Sequence, residues 1–377
     1  MMTDIQQDNL ILLSTIRSDG TVELRLENQR VMPLANGEVL VRMEAAPINP
    51  SDIPVFLGSS DPASAKVEGT GADRRLVAEL KGRRTAPYKG RLDQPMPVGN
   101  EGAGTVVDAA PDVRELIGKK VGMLGGAMYA RYRTMAVSDC LILPDGAAAA
   151  DGAALFINPL TALAMLETMR REGHRAIIHT AAASNLGQMV NRLCLAEGVG
   201  LVNVVRSPEQ VEILKGQGAV HVLISGSDNF AADLTDAIAE TGATLAFDAT
   251  GGGKLANSLL HAMEAAAQRN SKGYNRYGST TYKQVYLYGS LDSSLTELDR
   301  GYGMSWGVGG YLLTNELTKF GDEGVAALKA RVVQQMTTTF ASRYSRTIGL
   351  EDMLDPQVIR LIARRATGEK FLLDPSL

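Results

Sequence analysis

The chain has 377 residues, of which 45% are hydrophobic and 21% are charged, an ordinary balance for a globular protein. At about 150 residues per domain, this length predicts two domains. The formal charge of −4 gives no electrostatic reason to bind nucleic acid or an anionic membrane surface, and no run approaches the ~18 apolar residues of a membrane span.

The N-terminal sequence and the cysteine count bear on the compartment. The first thirty residues carry five acidic side chains and lack the basic start and apolar run of a signal peptide. The two cysteines, Cys140 and Cys194, allow one disulfide at most and do not indicate a disulfide framework. We therefore expect a cytoplasmic protein without membrane segments.

Residues 10–150 are predicted to be β-rich, because short apolar runs are separated by Gly, Pro, Asn and Asp. The predicted strands are Leu10–Ser14, Glu38–Ala46, Gly102–Asp108, Tyr132–Ala136 and Cys140–Leu143. Over 151–172 the pattern predicts a helix that is interrupted near Pro159, since proline lacks the amide donor of a helix interior.

From residue 176 onward, strands and helices alternate at intervals that suit βαβ units. The short strands are mostly apolar, as in a parallel sheet covered on both faces, so the fold class is α/β with a doubly wound domain. The predicted strands are Ala176–His179, Leu201–Val205, Val220–Ile224, Thr244–Asp248, Val285–Tyr288 and, later, Lys370–Leu373. The predicted helices are Leu186–Glu197, Pro208–Gly216, Phe230–Glu240, Lys254–Ala267 and those near 314–340 and 350–366.

The turn after the first of these strands, 179–187, has the composition of a pyrophosphate-binding turn. Backbone can approach a phosphate only where side chains are small, and Ala181–Ala183 and Gly187 meet that condition. Ser184 or Asn185 can cap the helix that follows, whose positive dipole end attracts the phosphates. The full glycine fingerprint is absent, so this reading depends on the βαβ context.

The end of the next strand predicts the form of the nicotinamide cofactor. Arg206 follows Gly187 by 19 residues, where an NAD site usually carries a carboxylate for the ribose hydroxyl. Arg206 and Ser207 suit a 2′-phosphate instead, because a guanidinium pairs with phosphate and a carboxylate repels it. The sequence therefore favours NADPH, although a solvated surface arginine remains the alternative.

A set of motifs in order along nearly the whole chain resembles the medium-chain dehydrogenase/reductase superfamily, in its zinc-independent quinone oxidoreductase and 2-enoyl thioester reductase branch. The order of the set is more specific than any one motif. The matching segments are 49–52 (NPSD), 99–104 (GNEGAG), 143–146 (LPDG), 158–162 (NPLTA), 179–187, 203–206, 214–219, 247–252 (FDATGG), 288–289 and 368–374.

The resemblance implies a GroES-like β-rich catalytic domain, residues 1–155 and 316–377, into which a Rossmann NADP-binding domain, residues 156–315, is inserted. It implies that Asn49 and Thr161 flank the nicotinamide and that Asp52 braces the loop. It assigns Arg206 to the 2′-phosphate and implies a homodimer. The other cofactor-binding residues expected are Ala183, Ser184, Asn185, Leu186, Gly187, Ser207, Thr250, Gly251, Tyr288, Gly289, Ser290 and Lys370.

No metal site is expected. The zinc branch carries a cysteine where this chain has Asn49 and a histidine where it has Asn100, and the four histidines are scattered. Without zinc, a ketone lacks a Lewis acid, whereas a quinone, enone or enoyl thioester spreads developing charge by conjugation. We therefore predict reduction of a quinone or an activated C=C bond; the alternatives are an NADPH-binding sensor with little turnover and a reductase of simple ketones.

Two segments depart from the family pattern. A tyrosine that related enoyl reductases carry shortly after the Asn-Pro-x-Asp loop is absent, and Tyr88 is the candidate replacement as proton donor. Residues 59–97 form a long, basic connection that we interpret as a solvated loop, a lid, or a region attracting an anionic substrate such as a coenzyme A thioester. Residues 270–311 hold seven of the eleven tyrosines and the single tryptophan, which suits core packing, an interface or a wall for a flat substrate.

Overall fold

A computed structural model describes residues 9–269 and 273–377. The chain divides into two compact units: one comprises the described residues up to Phe156 with Val333–Leu377, and the other comprises those of Ile157–Val332. Glu316, at the start of the predicted C-terminal return to the first domain, lies in the Ile157–Val332 unit and accepts there from Thr168 (3.3 Å) and Arg171 (2.6 Å). The predicted domain bounds stay predictions. The catalytic and cofactor-binding roles of the two units stay predictions.

The N-terminal part of the chain is built mostly from antiparallel strands. The strands are β1 (Asn9–Ile16), β2 (Thr21–Gln29), β3 (Glu38–Pro47), β4 (Lys66–Glu68), β5 (Arg75–Glu79), β6 (Met96–Pro97), β7 (Glu101–Ala109), β8 (Lys120–Leu124), β9 (Tyr132–Ala136) and β10 (Cys140–Ile142). The helices are α1 (Ile53–Leu57) and α2 (Ala149–Gly152).

The remaining elements complete both units. The helices are α3 (Ile157–Arg171), α4 (Asn185–Glu197), α5 (Pro208–Lys215), α6 (Phe230–Thr241), α7 (Leu255–Arg269), α8 (Leu313–Gln334) and α9 (Pro356–Ala363). The strands are β11 (Ala176–Thr180), β12 (Gly200–Val205), β13 (His221–Ile224), β14 (Leu245–Asp248), β15 (Gly251–Gly253), β16 (Lys283–Leu287), β17 (Asp292–Thr296), β18 (Trp306–Gly310), β19 (Arg346–Ile348) and β20 (Phe371–Leu373).

The first unit contains two sheets around one apolar core. Their strand orders are β4-β5-β2-β1-β6 and β10-β8-β7-β3-β20-β19, with β9 also paired to β3. Apolar side chains of β1 to β3, such as Leu12, Leu24 and Met43, are buried in this core, where they pack with Phe56 and Tyr129. The C-terminal strands therefore complete a sheet that the N-terminal strands begin.

The connection 59–97 is in part sheet and in part exposed chain. Its strands β4 and β5 extend the first sheet, with β5 antiparallel to β2, and β6 pairs with β1 at the other edge. Its apolar side chains Leu76, Ala78 and Leu80 are buried in the core. The insertion therefore forms part of the folded unit.

The second unit contains a six-stranded parallel sheet of order β13-β12-β11-β14-β16-β18. This is the strand order of a doubly wound dinucleotide-binding fold, which confirms the predicted fold class. Most of the helices that were predicted between the strands are present, within about two residues of the predicted bounds. The short strands β15 and β17 form a separate parallel pair.

The predicted interruption near Pro159 is wrong in position. The chain breaks between α2 and α3, over 153–156, and Pro159 lies in the first turn of α3. Proline is tolerated there because the first amide groups of a helix have no intrahelical acceptor. The predicted helix over 350–366 begins only at Pro356, where Asp355 accepts from the Gln357 amide and caps it.

The aromatic segment 270–311 is described except for 270–272. Tyr286 and Tyr311 pack against Phe247, and Tyr302 packs edge-on against Trp306. Tyr274 and Tyr277 are exposed, at 95% and 57%. Core packing thus accounts for much of this segment. No helix in the described ranges has an apolar stretch long enough to cross a bilayer.

Candidate functional site

The strand order of the parallel sheet reverses between β11 and β14, and a polar network lies at the carboxyl ends of these strands. Asp248 accepts from Thr180 Oγ1 (2.7 Å), from the Thr250 amide (2.8 Å) and from the Gly251 amide (3.2 Å). Thr180 Oγ1 in turn accepts from the Ala249 amide at 2.8 Å. Ligands of doubly wound folds bind in the crevice at such a reversal, so the loops that carry this network are the candidate cofactor site.

The predicted pyrophosphate turn follows β11 directly. Ala181 has φ 49°, in the left-handed region, and Ser184 Oγ accepts from the Gly187 amide at 3.1 Å. A Cβ on Gly187 would lie 2.2 Å from the Ala182 carbonyl oxygen, so no larger residue fits there. Ala183, Ser184, Asn185, Leu186 and Gly187 therefore lie together at the start of α4, where the helix dipole favours an anion.

The loops after β14 and β16 approach each other closely. A Cβ on Gly289 would lie 2.4 Å from the Ala249 carbonyl oxygen, and one on Gly251 would lie 2.5 Å from that of Gly289. This contact brings Thr250, Gly251, Gly289 and the exposed Ser290 to the same end of the sheet. Tyr288 differs, because its hydroxyl lies 3.0 Å from the buried His179 Nε2 and is used inside the unit.

Arg206 and Ser207 lie between β12 and α5. The Arg206 amide donates to Gln210 Oε1 at 2.8 Å, while its side chain is exposed. Ser207 is at the position that caps α5, although its side chain makes no capping bond. The guanidinium is thus on the surface at the carboxyl end of the sheet, two strands from β14.

In the other unit, buried side chains surround the Asn49–Asp52 segment. Asn49 Nδ2 donates to Glu101 Oε1 at 2.7 Å, and Glu101 Oε2 accepts from the Phe156 amide at 2.9 Å. Asp52 accepts from the Asn49 amide (2.8 Å) and from the Asn100 amide (2.9 Å). Asp52 therefore ties two predicted motifs together, while its bracing role in a working site stays a prediction. Glu101 fixes the orientation of the Asn49 side-chain amide.

The charges of this cluster shift one another's proton affinity. Burial raises the pKa of Asp52 to about 7; its two backbone donors lower it, and the charge of Glu101 raises it. Burial lowers the pKa of Lys370 to about 8, against the charges of Glu101 and Asp52. Lys370 Nζ is buried, has no hydrogen-bond partner among the described residues, and lies 5.3 Å from the centre of the Tyr344 ring.

Two further predicted residues have defined partners. Thr161 is buried in α3 and its hydroxyl donates to the Ile157 carbonyl at 2.5 Å, so that hydroxyl can accept another hydrogen bond but has no second proton to donate. Tyr88 packs partly against the apolar core, and its hydroxyl would lie 3.2 Å from a Cβ on Gly58. Gly58 ends α1, the helix that follows Asp52.

The predictions did not assign roles to Glu101, Asp248 or Thr180. Glu101 and Asp248 lie inside the matching segments 99–104 and 247–252, and a single carboxylate among small and apolar residues is the sequence signal for such a role. No group of three or more His, Cys, Asp or Glu in the described ranges is arranged to hold a metal ion. All four histidines have a polar neighbour: His179 has Tyr288, His174 has Thr244, His221 has Glu240 and His261 has Asp299.

A doubly wound unit inserted into a β-rich unit that the C-terminal strands complete is the architecture of the medium-chain dehydrogenase/reductase superfamily. Comparisons with known proteins confirm the predicted resemblance to that superfamily. No model of a known protein family matches the chain.

Similarity to individual proteins extends over part or all of the chain. The Xenopus tropicalis protein named mitochondrial enoyl-[acyl-carrier-protein] reductase is 32% identical over 210 residues, which cover 53% of this chain and 51% of that protein. The chain thus matches about half the length of its curated relatives.

Two solved structures match over nearly the whole chain. A Mesorhizobium loti protein described as an NADPH:quinone reductase has a TM-score of 0.72 at 24% identity, covering 99% of this chain and 100% of that one. A mycobacterial protein in complex with NADPH has a TM-score of 0.69 at 18% identity, covering 98% and 100%. At these identities the structural likeness establishes the fold.

Proposed function

We propose that the protein is a zinc-independent, NADPH-dependent reductase of a conjugated acceptor, either a quinone or an activated C=C bond in an enone or enoyl thioester. The observation that carries this proposal is the convergence of the loops after β11, β14 and β16 on one end of the parallel sheet. The sequence relationship to an enoyl reductase and the fold of an NADPH:quinone reductase support the same reaction class.

The residues at this end of the sheet suit a dinucleotide. The Gly187 turn leaves room only for backbone, and the start of α4 is suited to the pyrophosphate. The exposed Arg206 guanidinium is suited to the 2′-phosphate, with Ser207 next to it. Lys370 belongs to the first unit; its ammonium is buried without a hydrogen-bond partner among the described residues, and its predicted role toward the cofactor stays a proposal. When bound, NADPH supplies the hydride.

We propose that the Asn49–Asp52 segment orients the reacting groups and does not itself donate the proton. Glu101 accepts from Asn49 Nδ2, so the amide is held in one rotamer, and Asp52 holds the backbone of that segment against Asn100. The Thr161 hydroxyl can accept a hydrogen bond, because its own proton is donated to the Ile157 carbonyl. We propose that Asn49 and Thr161 position the reacting groups and that Tyr88 remains the candidate proton donor.

The proposal of zinc independence comes from the residues themselves. Asn49 and Asn100 occupy the positions of zinc ligands in the related branch, and neither side chain is a usual zinc ligand. Here the Asn49 side-chain NH₂ donates to Glu101, and the backbone N–H of Asn100 donates to Asp52. A conjugated acceptor is suited to such a site because it spreads the developing charge itself, and hydrogen-bond donors then suffice to stabilise it.

The test is NADPH oxidation with a quinone, an enone and crotonyl-N-acetylcysteamine thioester, each with and without a chelator. We expect turnover of at least one acceptor and no loss in chelator. Tight NADPH binding without turnover across the three acceptors would instead support the sensor function. Loss of activity in chelator that a divalent metal restores would overturn zinc independence.

The assembly and the compartment remain proposals as well. We propose a homodimer, which size-exclusion chromatography with light scattering would test. We also propose a cytoplasmic location. The Xenopus relative is named a mitochondrial protein, so imaging of a tagged protein would have to distinguish the two compartments.

A further inference from the structure

A fully buried histidine lies on β11, the strand that leads into the predicted pyrophosphate turn. His179 has no exposed surface, and burial lowers its pKa to about 3. The imidazole is therefore neutral near pH 7, with one N–H donor and one acceptor nitrogen. The reaction proposed above makes no use of this residue.

The partner of His179 is Tyr288, which directly precedes Gly289 and Ser290. The tyrosine hydroxyl lies 3.0 Å from His179 Nε2, and the two rings are stacked at 25° with their centres 5.7 Å apart. Burial raises the pKa of Tyr288, and the charge of Asp248 raises it further, so the hydroxyl keeps its proton. The bond joins two neutral groups, and its strength does not depend on pH near neutrality.

The His179–Tyr288 pair spans the strand β14. Phe247 on β14 is the register partner of His179 on one side and of Tyr286 on the other. The two ends of the pair thus belong to strands that are two positions apart in the sheet, about 10 Å. The bond connects β11 with the loop that is expected to line the nicotinamide.

Packing alone does not account for a histidine at this position. Its Nδ1 is buried without a hydrogen-bond partner among the described residues. Whichever ring nitrogen carries the proton, one polar atom stays unsatisfied, which lowers stability. An aromatic ring without nitrogen would fill the space and avoid this loss.

The pair fixes a loop that is otherwise held mainly by its neighbour. The Tyr288 amide donates to the Asp248 carbonyl (3.0 Å) and the Leu291 amide donates to that of Ala249 (3.2 Å), so the loops after β14 and β16 are joined to each other. Thr180 ties the β14 side to β11 through Asp248. The His179 bond ties the β16 side to β11, a strand that is paired along both edges.

We propose that His179 is a positioning residue for the cofactor, which acts through Tyr288 to hold Gly289 and Ser290 where the nicotinamide ring binds. This inference rests on the NADPH binding of the proposed function but not on the identity of the acceptor. It also gives the Tyr288 hydroxyl a role inside the unit in place of direct contact with the cofactor.

The experiment compares His179→Phe and Tyr288→Phe with the control Tyr286→Phe. The control removes the same hydroxyl group from the same segment, where it donates to Glu172 at 2.9 Å. The ligands are NADPH and 2′-phospho-ADP-ribose, which lacks the nicotinamide, and calorimetric titration gives both Kd values. We expect each of the first two variants to raise the Kd for NADPH about tenfold and to leave that for 2′-phospho-ADP-ribose within about twofold. The control should leave both within about twofold.

The double variant His179→Phe/Tyr288→Phe separates positioning from stability. Tyr288→Phe leaves both ring nitrogens of His179 unsatisfied and should melt at a lower temperature than the wild type. The double variant removes both polar groups, so its melting temperature should recover while its NADPH binding stays weak. If NADPH affinity recovered together with the melting temperature, the pair would serve stability only and the proposal would be overturned.

The remaining outcomes bear on separate statements. An unchanged Kd for NADPH in both single variants contradicts the role of His179, and Tyr288→Phe decides this even if His179→Phe does not fold. Equal losses for the two ligands contradict the assignment to the nicotinamide end. A wild type that binds neither ligand contradicts the proposed function itself, and the role of His179 with it.

Discussion

The two polar clusters of this protein are built in different ways. In the Asn49–Asp52 cluster, two carboxylates are fully buried and their partners come from segments about 50 residues apart in sequence. In the Asp248 network, one buried carboxylate accepts from the two amides that follow it closely and from Thr180 on the adjacent strand. The first cluster depends on tertiary contacts between distant segments, and the second mostly on the ends of two paired strands.

This difference suggests a division of tasks. A network made of strand ends and backbone amides shapes loops, and here these are the loops proposed to hold the cofactor. A network of buried charges fixes side chains in one orientation and holds proton affinities away from their usual range. Variants in the two clusters should therefore change different quantities.

The largest effect is expected from Glu101→Ala. The variant removes the carboxylate that accepts from Asn49 Nδ2 and from the Phe156 backbone amide, and the loss of such a buried hydrogen bond costs about 1–3 kcal/mol. We expect the free energy of unfolding to fall by about 3 kcal/mol in urea titrations, with strong loss of kcat. Glu115→Ala, at an exposed site, is the control. If both variants lowered the free energy of unfolding and kcat equally, Glu101 would not stabilise the cluster.

Arg206→Glu tests the proposed recognition of the NADPH 2′-phosphate. Losing a charge-assisted contact and adding repulsion should weaken NADPH binding about 10–100-fold, with a much smaller change for NADH. Fluorescence titration with both nucleotides measures this, with Lys215→Glu as the control at an exposed position on α5. Equal losses for the two nucleotides would exclude a role in 2′-phosphate recognition.

A pair of matched substitutions sharpens the comparison directly. Asp248→Asn places an amide NH₂ among N–H donors and should raise the Kd for NADPH about tenfold. Glu101→Gln should leave that Kd within about twofold and lower kcat instead. The division of tasks between the clusters would be wrong if the two variants changed the same quantity.

The smallest effect is a slope in the pH dependence of stability. The pKa of Asp52 is about 7 in the folded protein, above its ordinary value of 3.8, so the folded state binds more protons than the unfolded state between these values. The free energy of unfolding should fall as pH rises through this window, by at most about 1.4 kcal/mol per pH unit. Urea unfolding at pH 5, 6 and 7 should show this contribution in the wild type and in exposed-site control Asp112→Asn, and its loss in Asp52→Asn.

Lys370 gives the opposite sign at higher pH. Its folded pKa of about 8 lies below the ordinary 10.5, so the unfolded state binds more protons between these values and this contribution to the free energy of unfolding rises with pH. In Lys370→Met that rise should be absent between pH 8 and pH 10. A rise equal to that of the wild type would mean that other groups cause it.

Most strands of the parallel sheet could be predicted from sequence, because each is a short apolar run that lies between two segments with the periodicity of a helix. The antiparallel strands were predicted less completely. The alternation of Leu24 and Leu26 with charged residues is a strand signal, yet β2 was not among the predicted strands. The strands β4 and β5 lie in a charged insertion whose pairing is set by distant partners. The glycine-rich β15 has no apolar signal at all.

The candidate site shows the same limit. Asn49, Asp52 and the turn ending at Gly187 were recognisable from local motifs. The acceptor role of Glu101 was not, because Asn49 lies 52 residues before it and only the paired strands β3 and β7 bring the two together. The orientation of Tyr288 toward His179 was equally invisible, since it depends on packing across the sheet.

The late position of β20 has a consequence for synthesis on the ribosome. Pairing of β20 with β3 and the bond from the Ile48 amide to the Phe371 carbonyl join residues more than 300 apart, whereas the second unit is one continuous stretch. The inserted unit can thus fold as soon as it has emerged, while the end of β3 at Ala46 and Pro47, beyond its pairing with β9, waits for the final strand. Nascent chains stalled before residue 371 would expose that edge to neighbouring molecules.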